Sequence, residues 1–283
     1  MKTIGIIVNT SKPKAAEVVI EASHWLRRRG IKPLVPDEKA VALGLPLDGY
    51  TQEQVVTESD ALIVLGGDGT LLGVAHIPCV EQVPILGVNL GHLGYLTEVA
   101  LSELYPALTN IVDGNYEINE RMMLKVQLSY QGKIELESLA LNDAVIKHPS
   151  RMINIEVHID DQYFVTYNAD GLIIATPTGS TAYSLAVGGP IVEPTMEAII
   201  LTPIAPHALT IRPFVAHPHS QISVSTAEHS GVILTFDGGT VSLEPDCVVK
   251  VSKAKKTIKL IKSRNRSYYE VLRTKLKLGE RGG

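Results

Sequence analysis

The apolar residues of this chain change their spacing near residue 116, and that change limits the fold more than any other feature. Before it, Thr3 to Val8, Ile31 to Val35, Ala61 to Leu65 and Ile85 to Val88 are short apolar runs that each leave into Gly, Pro, Asp or Asn. Between them, Lys14 to Arg29 places Val18, Ala22, Trp25 and Leu26 on one side and stops at Gly30, and Ser102 to Val112 sets Leu104, Leu108 and Ile111 in helical phase. Buried strands alternating with helices are the grammar of a parallel, doubly wound sheet, which binds ligands at the carboxyl ends of its strands. From Tyr116 onward the period is two. Leu124, Val126 and Leu128 alternate with polar residues, as do Ile153, Ile155, Val157 and Ile159, and the pattern returns at Ile222 to Val224, Val232 to Phe236 and Val248 to Val251. The spacing therefore predicts an α/β N-terminal domain with a parallel doubly wound sheet, plus a mostly β, sandwich-like C-terminal domain with one interruption at Thr178 to Gly189. The expected domains are 1–115, completed by a C-terminal segment of about 264–283, and 116–263.

A chain of 283 residues with 45% hydrophobic and 20% charged side chains is too long for one core and too apolar for disorder. No apolar run approaches the roughly 20 residues of a membrane span, and the N-terminal run is too short for a signal-peptide core. Cys79 and Cys247 stand far apart, without disulfide-framework or zinc spacing. These features predict a soluble, cytoplasmic protein with no membrane partner. The formal charge of −4 hides an asymmetry: the segment from Lys250 carries twelve basic residues against Glu270 and Glu280, a net of 12 − 2 = +10, leaving −14 for the remainder. Lys256 to Lys262 alternates basic and apolar residues as a half-exposed strand does, and it lacks interleaved aromatics for base stacking. Ser267 and Glu270 then form a capping box ahead of Leu272 and Leu276, so the tail reads as a strand and a docked helix, with no nucleic-acid partner.

Four constellations carry chemistry. Gly66-Gly67-Asp68-Gly69-Thr70 follows a strand and opens a helix, the geometry in which backbone N–H groups hold a phosphate. Asp68 beside such an anion has two sensible tasks, to hold a metal or to take a proton from a nucleophile, and the alternative is a tight turn with Asp68 as N-cap. Asn89 to Thr97, with Gly91, His92, Gly94 and Tyr95, is a second glycine-rich loop after the next strand. Asn168 to Ser184 frames an apolar strand with an acid at one end and a Thr178, Ser180, Thr181, Tyr183 cluster at the other, suited to a base or ribose; the alternative is a capped helix that breaks the β domain and ends at Gly188-Gly189-Pro190. Asn142-Asp143 closes another apolar strand, where an amide and a carboxylate suit ribose hydroxyls, and a plain turn is the alternative that these two residues alone favour.

Together GGDGT at Gly66 to Thr70, NLGHLGYLT at Asn89 to Thr97, Asn142-Asp143, DGLIIATPTGSTAYSLAVGGPI at Asp170 to Ile191 and LTPIAPH at Leu201 to His207 resemble the NAD kinase family. GGDGT alone is shared with diacylglycerol and sphingosine kinases; the long segment is specific. The resemblance implies phosphorylation of the adenosine-ribose 2′-hydroxyl of NAD by ATP or polyphosphate, giving NADP, with Mg2+ or a similar divalent ion whose protein ligands it does not assign. It implies Asp68 as proton acceptor with Gly69 beside the substrate, Asn142 and Asp143 on substrate ribose, and Arg151 at the family's basic position. Asn168 and Asp170 fall near the nicotinamide end, and Thr181, Ala182, Tyr183, Ser184, Leu185 and Ala186 surround an adenine. A homodimer or homotetramer is also implied. Two positions depart from the family: Asp143 is one methylene shorter than the usual Glu, and Gly239 replaces a late Gln. A lipid kinase, a non-catalytic NAD(P)-binding regulator and a nucleic-acid binder are the competing readings.

Overall fold

The computed structural model describes residues 1–283 apart from 47, 92, 227–230 and 279–283. His92 and the last five residues of the expected returning segment therefore lie outside the described residues. The chain forms two compact units, Met1–Glu120 with Ile258–Gly283, and Arg121–Thr257. Both borders fall inside long strands, which is why they differ by five or six residues from turn-based expectations at 115/116 and 263/264.

In unit 1, β1 (Thr3–Val8), α1 (Ala15–Arg27), β2 (Lys32–Leu34), α2 (Asp37–Ala42), α3 (Gln52–Thr57), β3 (Ala61–Gly66), α4 (Asp68–Ala75), β4 (Ile85–Asn89), β5 (Val99–Ala100) and α5 (Leu104–Val112) follow in order. The strands pair in parallel as β2-β1-β3-β4, with Thr3 opposite Lys32, Ile4 opposite Ala61 and Leu62 opposite Ile85. Parallel strands are covered on both faces, so β3 is buried throughout. Val18, Ala22 and Leu26 recur every four residues along α1 and pack with Ile4, Ile6 and Ile63 in one core. Because the chain leaves β1 toward β2 and then resumes on its other side at β3, the order reverses between β1 and β3. Ligands of such sheets bind outside the carboxyl ends at that reversal.

Unit 2 is antiparallel. It holds β6 (Ile118–Tyr130), β7 (Lys133–Ala140), β8 (Asp143–Lys147), β9 (Ile153–Ile159), β10 (Gln162–Ala169), β11 (Gly171–Ala175), the short α6 (Tyr183–Ala186), β12 (Ile199–Ile204), β13 (Phe214–Ala216), β14 (Ile222–Ser225), β15 (Val232–Phe236), β16 (Gly239–Leu243) and β17 (Cys247–Ile261). One sheet runs β13-β12-β11-β8-β15-β16, and the other carries β10-β9-β14-β17 with β6 on β17 and β7 on β6. Leu124, Val126, Ile155 and Val157 from the second sheet share a core with Ile146, Leu172, Ile174 and Leu234 from the first. The alternation read from the sequence is this inward face. β11 breaks the alternation and is buried on both sides, because Ile173 and Ala175 face a small second cluster with Val145 and Ile200, covered by Val187 and Val192.

The chain then returns to unit 1, where Leu260 pairs in parallel with Ile85 and α7 (Tyr268–Leu276) begins at Ser267. The capping box forms as expected: the Ser267 hydroxyl accepts from Glu270 N at 3.2 Å, and Ser267 N donates to the Glu270 carboxylate at 2.7 Å. Part of the basic tail is paired with carboxylates. Lys262 meets Glu117 at 3.2 Å, Arg266 donates to Glu103 at 2.9 Å, and Lys253, in unit 2, meets Glu197.

Candidate active site

In unit 1 the turn after β3 sits beside the end of β1. Asn9 N donates to Leu65 O at 2.8 Å, and the Thr70 hydroxyl accepts from Asn9 Nδ2 and from Gly67 N at 3.4 Å each. An open cavity of about 430 Å³ lies there, bordered by Asn9, Thr10, Lys39, Gln52, Gly69 and Thr70. Gly67 is the N-cap of α4, so Asp68 occupies the first helical position and does not cap its own helix. Its carboxylate turns to the second glycine-rich loop. Oδ1 accepts from Leu96 N, Thr97 N and the Thr97 hydroxyl, all at 3.0 Å, while Oδ2 accepts from Tyr95 N at 2.7 Å. The same Thr97 oxygen accepts from Asn89 Nδ2 at 2.9 Å, tying the loop to β4. Gly94 has to be glycine for this to occur, because a Cβ there would overlap the Asp68 carboxylate. The two loops are thus one constellation. Oδ2, with a single donor, keeps acceptor capacity for a hydroxyl proton, whereas Oδ1 is fully engaged.

In unit 2 the Asn142-Asp143 corner joins β7 to β8. Thr176 fixes one side of it: its hydroxyl donates to Leu141 O at 2.6 Å and its N–H to Asn142 O at 2.9 Å. Gly179 lies against Asn142, close enough that a Cβ would strike its carbonyl. The Asp143 carboxyl is pushed up to about 7, first by burial and then by the negative charge of Asp237. Asp143 faces Ala175 and Lys147 faces Gly171 across the β8–β11 pair. Asp170 precedes Gly171, so it lies four to five residues along that ladder from Asp143, roughly 13–17 Å at strand rise. Its exposed carboxylate has no protein partner among the described residues. Asn168 is exposed beside it, donating to Asn154 Oδ1 at 3.1 Å and accepting from His207 N through its carbonyl at 2.9 Å. The half-exposed Tyr183 ring carries the Lys147 ammonium 5.7 Å from its centroid. Arg151 is exposed in the β8–β9 connection.

Not every expected hydroxyl is free for a ligand. Ser184 is buried and shares a hydrogen bond of 2.8 Å with Thr202; Ser180 donates to Pro177 O and accepts from Val192 N; Thr181 donates to Thr178 O. This cluster largely holds its own turn together, with Ala182, Leu185 and Ala186 at least partly accessible. Thr178 keeps a buried hydroxyl without a partner. Asp237 and Thr97 were not singled out from sequence. Among the described residues no three His, Cys, Asp or Glu side chains converge to hold a metal, and no helix is long and apolar enough to cross a membrane.

A glycine-rich strand-to-helix turn with a fixed carboxylate in an α/β unit, and an amide–carboxylate corner in a β unit, are compatible with a nucleotide-dependent phosphotransferase, the class to which the comparisons point. The ATP-NAD kinase N-terminal domain model matches residues 4–116 and the C-terminal domain model matches 141–263. The chain is 45% identical to the NAD kinase of Geobacter sulfurreducens over 286 residues, covering 99% of this chain and all of that one. It is 44% identical to the NAD kinase of Moorella thermoacetica over 283 residues, covering 99% and 90%. Yeast NADH kinase, solved with NADH, superposes with a TM-score of 0.92 at 26% identity, covering 100% of this chain and 89% of the other. An Archaeoglobus fulgidus NAD kinase solved with ATP shares the fold, with a TM-score of 0.77 at 24% identity over 97% and 98% of the two chains. The chain belongs to the NAD kinase family.

Proposed function

We propose that this chain transfers the terminal phosphoryl group of ATP to the 2′-hydroxyl of the adenosine ribose of NAD, giving NADP and ADP. The observation that carries the reading is the Asp68 carboxylate, locked by three amides and a hydroxyl with Oδ2 left able to accept. As the new O–P bond forms, Oδ2 takes the ribose proton, the bridging oxygen leaves with ADP, and water later carries the proton away. The cavity at the ends of β1 and β3 suits the donor's phosphates, near Gly69 and the α4 N-terminus. In unit 2, Asn142 and Asp143 grip ribose hydroxyls, Tyr183 with Ala182, Leu185 and Ala186 lies along the adenine, and Asn168 and Asp170 serve the nicotinamide end. Arg151 offers an exposed cation for a phosphate, while Thr181 and Ser184 shape the adenine-side turn.

When bound, a divalent cation such as Mg2+ would screen the donor's phosphates and the charge that develops on the transferred group. We place the protein in the cytoplasm, in keeping with two free thiols, as a homo-oligomer through unit 2. There the partly exposed Phe164 and Phe214 rings of β10 and β13 pack at 4.7 Å beside exposed Tyr163 and Val215. Sedimentation at micromolar concentration should give a dimer or tetramer that Phe214→Asp dissociates.

The decisive test measures NADP from NAD, ATP and Mg2+, with polyphosphate in a parallel arm, for the wild type and Asp68→Asn. The variant should bind NAD within about threefold of wild type while kcat falls roughly 100-fold or more. Equal loss of binding and turnover would make Asp68 a structural residue, and no NADP from the wild type with either donor would end the kinase reading.

A further inference from the structure

We infer that Asp237 positions the Asn142-Asp143 corner for NAD, an inference that rests on the reading of that corner as the ribose grip. Asp237 lies in the β15–β16 turn at φ +43°, followed by Gly238 at φ +99°. A left-handed backbone at a non-glycine residue is strained unless its surroundings hold it, although Asp tolerates it better than most. Here the surroundings do hold it. The two carboxylate oxygens accept from three successive amides, Leu141 N, Asn142 N at 3.0 Å and Asp143 N at 3.4 Å. β7 ends at Ala140 and β8 starts at Asp143, so Leu141 and Asn142 fall outside both strands. Leu141 is fully buried, and its N–H has no water to turn to. The carboxylate fills that need and, opposite Thr176, fixes the corner from its second side. Without it, three donors lose their acceptor and the Asn142 and Asp143 side chains lose their orientation.

The same carboxylate acts on Asp143 through space. β11 is uncharged from Gly171 to Ala175, residues 176–181 carry no charge, β15 carries none, and Lys147 sits at the far end of β8 with its ammonium on Tyr183. Asp237 is therefore the charge that bears on Asp143, and its removal should let Asp143 ionise at lower pH. Ribose hydroxyls donate best to an ionised carboxylate, so NAD binding by the wild type should tighten as pH rises through about 7.

The test compares wild type, Asp237→Ala and Asp237→Asn by steady-state kinetics for both substrates and by calorimetric NAD binding from pH 5.5 to 8.5. Asp237→Ala should raise the KM and Kd for NAD at least about tenfold, with kcat and the KM for ATP within about threefold. Asp237→Asn, which keeps an acceptor but not the charge, should have a smaller effect on affinity and move the pH transition of NAD binding lower. Asp237→Ala that lowers only thermal stability, or weakens ATP and NAD alike, overturns the inference. If the alanine variant fails to fold, an unmoved pH transition in Asp237→Asn overturns it instead. A wild type that binds NAD but makes no NADP sinks the kinase reading while the Kd ratio still judges Asp237; a wild type that binds no NAD sinks both.

Discussion

Each unit contains an aspartate that gathers three successive amides of a neighbouring loop. Asp68 in unit 1 takes the N–H groups of Tyr95, Leu96 and Thr97; Asp237 in unit 2 takes those of Leu141, Asn142 and Asp143. The two clamps work in opposite senses. In unit 1 the aspartate is the proposed reacting group and the loop is its holder, whereas in unit 2 the aspartate is the holder and the loop carries the groups proposed to meet the ligand. One hydrogen-bonding device thus serves either to aim a carboxylate or to aim a backbone.

If the clamps differ in this way, damage in unit 1 should appear in turnover and damage in unit 2 in NAD affinity. The largest effect is expected from Gly94→Ala, whose Cβ would occupy the place of the Asp68 carboxylate. Its kcat should fall roughly 100-fold or more, approaching the loss of the base itself, with NAD Kd little changed. Gly179→Ala is the counterpart, since its Cβ would push on the Asn142 carbonyl. There the KM for NAD should rise about tenfold and kcat should keep within severalfold. The same kinetic signature from both glycines would erase the distinction.

A third outcome concerns stability. The Asp143 carboxyl holds its proton up to about 7 in the folded chain, against 3.8 for the ordinary group. Between those values the folded state binds more protons than the unfolded one, so this residue makes stability fall as pH rises from about 4 to 7 and stay low above. Asp143→Asn should therefore be more stable than wild type at pH 8, by roughly 2–4 kcal/mol, with the gain shrinking toward pH 4. Urea melts at several pH values check it, and a pH-independent difference would refute the account. The smallest effect is expected for Arg266→Ala in the returning segment. Its pairs with Glu103 and the Glu98 carbonyl are partly exposed, so about 1 kcal/mol and less than a twofold change in kcat should follow, both diminishing in high salt.

Much of this architecture is written in local patterns. β1 and β15 coincide with the apolar runs read for them, and the Ser267–Glu270 box marks the start of α7. β12 is less legible, because its run contains Pro203. β7 hides because Ile134 is exposed and its alternation is diluted. β17 reads as two pieces because Ala254 is its sole aliphatic marker between Val251 and Ile258. The site follows the same logic. Asp68 stands in a conspicuous glycine-rich turn, but its donors lie 27 to 29 residues away. Asp237 sits 94 to 96 residues from its donors in an Asp-Gly-Gly turn that looks like any other hairpin. The Ser184 hydroxyl turns inward for a geometric reason: on a single helical turn, one step in sequence moves a side chain from the accessible face of Tyr183 to the buried side facing Thr202.

The passage of the chain from unit 1 to unit 2 and back has a consequence for synthesis. Unit 2 is continuous from Arg121 to Thr257, whereas unit 1 needs Ile258 and the residues after it. A nascent chain emerging from the ribosome can complete the β unit while the first 120 residues still lack Leu260 beside Ile85 and α7 behind Ser267. During that interval the Ile85 end of β4 lacks its strand partner, so the time the chain spends before Leu260 docks should influence how much of the protein is recovered unaggregated.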